Sequence, residues 1–147
     1  MTIKTNLSEV LTNLIAQMNE QLGRQIAREV AVSLKPVIAV RIHQEGKDAN
    51  GDQIGTYKPS YLELRTKKYK RTADPTVILS LTKQMENDFS VQETQLGYGL
   101  GYNNPFNYQK AQWNELNFKR LIFGLTNEEQ IIANQVAKIA MTNALSK

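Results

Sequence analysis

The chain of 147 residues contains no cysteine and a single histidine, His43. The lack of cysteine excludes disulfide scaffolds, thiolate zinc sites and cysteine nucleophiles, and one histidine does not make a histidine metal cluster. No apolar run approaches the roughly 18 residues that span a bilayer, and residues 1–8 lack the apolar core of a signal peptide. We therefore expect a soluble protein without a secretion signal, without membrane contact, and without a metal or cofactor.

The composition is that of a folded globular protein. Hydrophobic residues make up 41% of the chain and charged residues 22%, which is too apolar for a disordered chain. A chain of this length buries roughly 68–70% of the surface that its unfolded form exposes. The sequence thus predicts a single domain over residues 1–147.

The positive charge is concentrated in one short segment. Five cations fall within seven residues, 65–71, and removing them from the net charge of +4 leaves −1 for the rest. An aromatic residue among cations is typical of surfaces that contact phosphates and bases, and a solvated or protein-contacting loop explains the segment as well. The candidate DNA- or partner-contacting residues are Arg65, Lys67, Lys68, Tyr69, Lys70 and Arg71.

Helical periodicity dominates residues about 6–45. A first apolar stripe ends at Gly23, which is placed as a stop or kink, and a second covers residues 26–34. Pro36 interrupts the pattern, and the β-branched run at 37–42 is compatible with helix or strand. We favour a helix that continues to about His43. The first stripe consists of Leu7, Leu11, Leu14, Ile15, Met18 and Leu22.

Residues about 46–75 are predicted to form a long basic loop or mobile hairpin, with Asn50-Gly51 as its sharpest turn signal. A short helix or turn and two antiparallel strands follow within about 76–103. The strands are expected to join near Glu93-Thr94 and to place Tyr98, Leu100 and Tyr102 toward the core.

Alternate glycines mark the second predicted strand at Gly97, Gly99 and Gly101. They do not form a phosphate-binding loop, because the run leads into Asn103-Asn104-Pro105 and not into a helix. Glycine at every second position leaves one strand face bare, so that another backbone approaches closely. We therefore predict a subunit interface at these three glycines.

A terminal helix is predicted over about 127–145. Thr126 and Glu129 have the spacing of a capping box, and the expected apolar stripe is Ile132, Val136, Ile139 and Ala140. A short helix within 106–113 precedes it. The predicted class is α+β: N-terminal amphipathic helices, a small antiparallel sheet with a long basic loop, and a C-terminal helix packed on the sheet.

The patterns that suggest chemistry are incomplete. Asp48, Asn50 and Asp52 have the alternate spacing of a calcium loop, but the glycine and the final glutamate are out of place, which favours an ordinary turn. His43 beside Glu45 resembles a base with its orienting acid, but no nucleophile motif accompanies it. We assign no catalytic and no metal-binding residue, and we do not expect an enzyme.

The order of several short motifs resembles the virion morphogenesis or tail-completion family of tailed bacteriophages. These motifs are Arg41-Ile42, Asp48-Ala49-Asn50-Gly51, Tyr57, the Lys-rich segment, Ile78-Leu79-Ser80-Leu81-Thr82 with Met85, Gly101-Tyr102, Arg120-Leu121-Ile122-Phe123-Gly124-Leu125-Thr126, and an acidic-capped terminal helix. The resemblance spans most of the chain.

The resemblance implies a structural protein that forms a homo-oligomeric ring at the phage neck or tail, as a head–tail connector or tail-completion component around the DNA path. It also implies portal, connector and tail proteins as partners, and a location in the virion after assembly in the host cytoplasm. In such a ring the basic loop would either make non-specific contact with genomic DNA or insert into a neighbouring subunit or an acidic partner ring. The alternative from the residues is a small, non-sequence-specific nucleic-acid-binding module using residues 65–71. A hydrolase using His43 and Glu45 is a third hypothesis.

Overall fold

A computed structural model of the chain describes residues 20–95 and 97–146. It confirms the α+β class, with five helices and one two-stranded antiparallel sheet in this part of the chain. The elements are α1 Glu20–His43, α2 Pro59–Lys67, α3 Gln84–Asp88, β1 Phe89–Thr94, β2 Gly97–Tyr102, α4 Pro105–Phe118 and α5 Asn127–Leu145. The apolar stripe predicted from Leu7 to Met18 lies outside the described residues.

Helix α1 forms the centre of the molecule. It continues through Gly23 and Pro36, so the helix favoured for residues 37–42 is confirmed. Of the stop or kink predicted at Gly23, the stop is wrong. Apolar residues three or four positions apart place one side of α1 in the core, whereas Pro36 lies on the exposed side. The buried residues include Ile26, Val30, Leu34, Ile38 and Ile42.

The predicted hairpin packs on this helix. Strands β1 and β2 pair antiparallel from Phe89 with Tyr102 to Thr94 with Gly97, so the turn lies just after the predicted position. Alternation turns Phe89, Leu100 and Tyr102 into the core, as expected, and leaves Tyr98 half-buried.

The main packing partner of helix α5 is α1 and not the sheet on which the C-terminal helix was predicted to pack. Its buried side carries Ala133, Ala137 and Ala140, while Ile139 is exposed. Small side chains allow two helices to approach closely, so alanines form this contact and the larger isoleucine stays outside. Helix α1 therefore lies between the hairpin and α5.

The predicted long loop at 46–75 is wrong for its central part, because residues 59–67 form α2. Pro59 opens that helix, where its missing N–H has no hydrogen bond to lose, and Lys58 before it is extended. Isolated antiparallel bridges between Lys47 and Gln53 and between Thr56 and Thr76 hold the flanking residues. Within the described ranges, no helix is long and apolar enough to cross a membrane.

Candidate functional site

Three of the motifs that carry the resemblance, those of Arg41, segment 120–126 and the capped terminal helix, meet in a buried polar network around Arg41. Its guanidinium donates to the Glu129 carboxylate, with Nε 2.6 Å from Oε1. Further N–H groups donate to the carbonyl oxygens of Lys47 and Ile122, each at 3.0 Å, and of Gly124 at 2.8 Å. One arginine at the end of α1 thus fixes the following turn, segment 120–126 and the start of α5.

Glu129 has a second role in this network, as the acid of the predicted capping box. The Thr126 hydroxyl accepts from the Glu129 backbone N–H at 3.1 Å, and the Glu129 carboxylate accepts from the Thr126 N–H at 2.9 Å. The capping box is therefore confirmed.

The Asp48 carboxylate is buried, and both of its oxygens accept hydrogen bonds. It accepts backbone N–H groups from Asn50 at 2.9 Å and Asp52 at 3.0 Å, and the Arg120 guanidinium lies 2.9 Å from its second oxygen. The spacing that suggested calcium is thus the turn that the sequence favoured. In the described part of the chain, no group of three or more histidine or acidic side chains is placed to hold a metal ion.

Both ring nitrogens of the buried His43 are engaged. Nδ1 lies 2.7 Å from the Leu79 carbonyl oxygen, and Nε2 lies 3.3 Å from the Tyr102 hydroxyl. Because a carbonyl only accepts, Nδ1 carries the proton and Nε2 accepts from Tyr102. Glu45 pairs instead with Lys47 at 3.5 Å. The structure therefore does not assemble the hypothesised pair of His43 and Glu45.

Burial gives His43 a testable effect on stability. Desolvation lowers its pKa below the ordinary value of 6.5, against smaller opposing effects of the Leu79 carbonyl and the charge of Glu86. The unfolded chain therefore takes up this proton at higher pH than the folded chain. The contribution of neutral His43 to stability is complete above the unfolded pKa and is lost as the pH falls through the folded pKa.

We expect the free energy of unfolding to fall between pH 7 and pH 5 more steeply in the wild type than in His43→Gln. The difference in slope has a limit of about 1.4 kcal/mol per pH unit, because one proton is involved. Denaturant titrations at several pH values measure both slopes. Parallel slopes would contradict this account of His43.

The predicted contact segment at 65–71 does not present all its cations to solvent. Arg65 is only 3% exposed. Its guanidinium lies over the Tyr57 ring, 4.4 Å from the centroid, and 5.9 Å from that of Tyr61, and it donates to the Ser80 carbonyl at 2.9 Å. The expectation that Arg65 belongs to a solvated cationic loop is therefore wrong.

Arg71 also turns inward, since its guanidinium donates to the Ser80 hydroxyl at 3.2 Å. Lys67 pairs with Glu63 one turn earlier on α2. Lys68 lies 5.4 Å from the ring centroid of the half-buried Tyr69.

Lys70 is exposed and has a left-handed backbone with φ of 54°. Among the described residues, neither Lys68 nor Lys70 forms an ion pair. The exposed cationic surface is thus three lysines, and the two arginines belong to the interior side of the segment.

The inward side of α2 borders an open groove of about 690 Å³. The remaining walls are segment 78–82, the start of α3, and α4. Its lining includes three cations, three tyrosines and several amide and hydroxyl side chains, and no aspartate or glutamate among residues 20–95 and 97–146 lines it. The charged and aromatic members are Lys58, Arg65, Lys110, Tyr57, Tyr61, Tyr69 and Phe118. Sequence analysis missed this groove, because its walls come from segments far apart in the chain.

The glycine strand is partly used within the chain. A Cβ at Gly97 would lie 3.4 Å from the Ala27 side chain, so the close neighbour there is the chain's own helix α1. Gly99 and Gly101 are buried and pair with Gln92 and Ser90. The subunit interface predicted at Gly99 and Gly101 stays a prediction.

Helix α4 carries an exposed apolar stripe. Phe106, Trp113 and Leu116 are 71%, 59% and 74% exposed, and their spacing places them on the side of the helix away from the buried Ala111. We call these three residues the α4 stripe. Such an exposed apolar face is typical of a protein–protein contact. The sequence predicted only a shorter helix here, within 106–113, whereas the structure has Pro105–Phe118.

Comparisons of the chain with protein-family models, with curated proteins and with solved structures find no match. Functional inference therefore depends on the arrangement of the chain's own residues and on the motif order.

Proposed function

We propose that the chain is a structural virion protein that forms a homo-oligomeric ring at the neck or tail of a tailed bacteriophage, around the DNA path. The α4 stripe is the observation that carries the proposal. A second apolar patch, Ile131 and Ile139, is exposed on α5. Head-to-tail contact joins two unlike surfaces of identical subunits, and such contacts form a ring when the rotation from one subunit to the next closes.

The motif order supports the same proposal. Three of its motifs form the network of Arg41, Asp48 and Glu129, which links α1 to α5. They are Arg41-Ile42, the acidic turn at Asp48, and segment 120–126. A resemblance carried by residues that jointly build one framework is stronger support than one carried by scattered surface residues. The partners it suggests are portal, connector and tail proteins.

The mass of the protein in solution and in particles tests the ring. We expect a multimer of one defined mass, and we expect Trp113→Ser with Leu116→Ser to shift it to the monomer without lowering its melting temperature. Exposed apolar side chains contribute to association and little to the monomer's own stability. Gln112→Ser, an exposed change on the same helix, is the control that leaves the multimer intact.

Deleting the gene is expected to leave DNA-filled heads without functional tails. A chain that stays monomeric at every concentration and in particles, together with infectious particles assembled without it, would overturn the proposal.

The exposed lysines favour one alternative, a small non-sequence-specific nucleic-acid-binding module. Lys68 and Lys70 lack ion pairs among the described residues and flank Tyr69. Three lysine–phosphate contacts correspond to a slope of about −2.7 in log K against log salt. Duplex binding with that salt dependence, lost when Lys67, Lys68 and Lys70 become alanine, would favour this alternative over the ring.

A further inference from the structure

Two buried arginines in this chain have opposite environments. Arg41 donates five hydrogen bonds, two of them to a carboxylate. Arg65 donates one, to the Ser80 carbonyl, and its buried Nε has no hydrogen-bond partner in the described part of the chain. Among the described residues, no carboxylate oxygen lies within ion-pairing distance of Arg65. Arg65 is therefore a buried cation without an anion.

Burial of such a group costs folding free energy, because a charge removed from water needs an opposite charge or a full set of hydrogen bonds. The rings of Tyr57 and Tyr61 offset part of this cost through cation–π contacts. Ser80 supplies a neutral acceptor only. What Arg65 still lacks among the described residues is an anionic acceptor. The open space beside its side chain is the groove.

The rest of the groove lining defines what kind of anion fits. Lys58 and Lys110 add positive charge, and none of the described residues that line the groove is acidic. Asn114 and Asn117 provide amide donors and acceptors suited to a peptide backbone. Apolar side chains that also line the groove are Ile78, Leu79, Leu81, Met85 and Phe118.

We propose that this groove binds an extended acidic peptide segment of a neighbouring protein. A carboxylate of the segment pairs with Arg65, an adjacent aliphatic side chain covers the apolar lining, and the groove asparagines bond the peptide backbone. A nucleic-acid strand fits less well, because it requires a row of exposed cations, and the exposed lysines Lys68 and Lys70 do not line the groove. The proposal does not depend on the ring, since a monomer presents the same groove.

Binding of labelled peptides to the full chain tests the proposal. The probes are an eight-residue peptide alternating glutamate and leucine, its glutamine–leucine counterpart, and a twelve-nucleotide single-stranded DNA. We expect saturable binding of the glutamate peptide, weakened about 10- to 100-fold in the glutamine peptide, as for loss of a charge-assisted hydrogen bond. Fluorescence anisotropy at fixed ionic strength measures the three affinities.

Two variants locate the site. Arg65→Gln is expected to remove the preference for glutamate over glutamine. Because Arg65 is buried and this variant risks unfolding, Asn117→Asp provides a milder test. It places a negative charge in the groove from an exposed position and should weaken binding of the glutamate peptide at least about 10-fold. Asn134→Asp, the same change on the exposed side of α5, is the matched control and should leave affinity unchanged.

Four outcomes would overturn the proposal. These are no saturable peptide binding up to about 1 mM, equal affinity for the glutamate and glutamine peptides, equal effects of Asn117→Asp and Asn134→Asp, or tighter binding of the DNA than of the peptide. Thermal melting of each variant confirms that the protein compared is folded.

Discussion

Replacing Glu129 by glutamine is expected to lower the free energy of unfolding by about 3–5 kcal/mol, the loss typical of a buried ion pair with one partner removed. Arg41 stays in place, and its charge then lacks the carboxylate 2.6 Å away. Glutamine also serves as the third residue of a capping box, so the start of α5 keeps its cap. The loss therefore reports the uncompensated charge of Arg41.

Glu128→Gln is the matched control, because Glu128 precedes Glu129 in the first turn of α5 and is exposed. It loses only a favourable interaction with the helix dipole, about 0.3–1 kcal/mol. Urea titration at pH 7, with the midpoint and slope of both variants, measures the difference. If the two variants lose the same stability, the network around Arg41 does not have the structural role assigned to it.

Features that depend on neighbours in sequence could be predicted. The Gly97 to Tyr102 alternation indicates a strand whatever lies opposite, and the hairpin forms as expected. The capping box needs only the three-residue spacing of Thr126 and Glu129. Both features depend on residues that are close in sequence, so the amino-acid pattern is enough to predict them.

Features that depend on distant contacts could not be predicted. Arg41 and Glu129 are 88 residues apart, and no local pattern distinguishes their pair from surface charges. The sequence groups Arg65 with four other cations of one predicted loop, because charge density does not reveal that the Tyr57 ring covers one of them. The alanines of α5 carry little hydrophobic signal, so the sequence indicated Ile139 for the buried side and missed Ala137.

Arg41 and Arg65 lie in two regions of the molecule that differ in how completely the arginine is hydrogen-bonded. The Arg41 guanidinium donates five hydrogen bonds and joins three segments of the fold. Substitutions in its network are therefore expected to change the stability of the protein. Arg65 has no anionic partner among the described residues and borders the groove. Substitutions of Arg65 are therefore expected to change peptide binding. Arg41 therefore belongs to the framework of the fold, and Arg65 to the groove that is proposed to bind a peptide.

Gly46→Ala is expected to destabilise the fold by about 2–4 kcal/mol, more than Gly51→Ala, although Asn50-Gly51 is the stronger turn signal in the sequence. Both glycines have a left-handed backbone, with φ of 67° at Gly46 and 84° at Gly51. An added Cβ at Gly46 would lie 2.0 Å from the Val77 carbonyl oxygen, whereas at Gly51 it meets nothing within 4 Å.

Gly51→Ala thus loses only the conformational freedom of glycine, about 1 kcal/mol. Gly46→Ala has the same loss and must also displace the backbone at Val77, whose N–H donates to Gly55. Thermal or urea unfolding of the two variants measures the gap between them. Equal losses would mean that residues 77–78 move aside freely. The hydrogen bonds from His43 to Leu79 and from Arg65 to Ser80 would then also be adjustable, because they depend on the same segment.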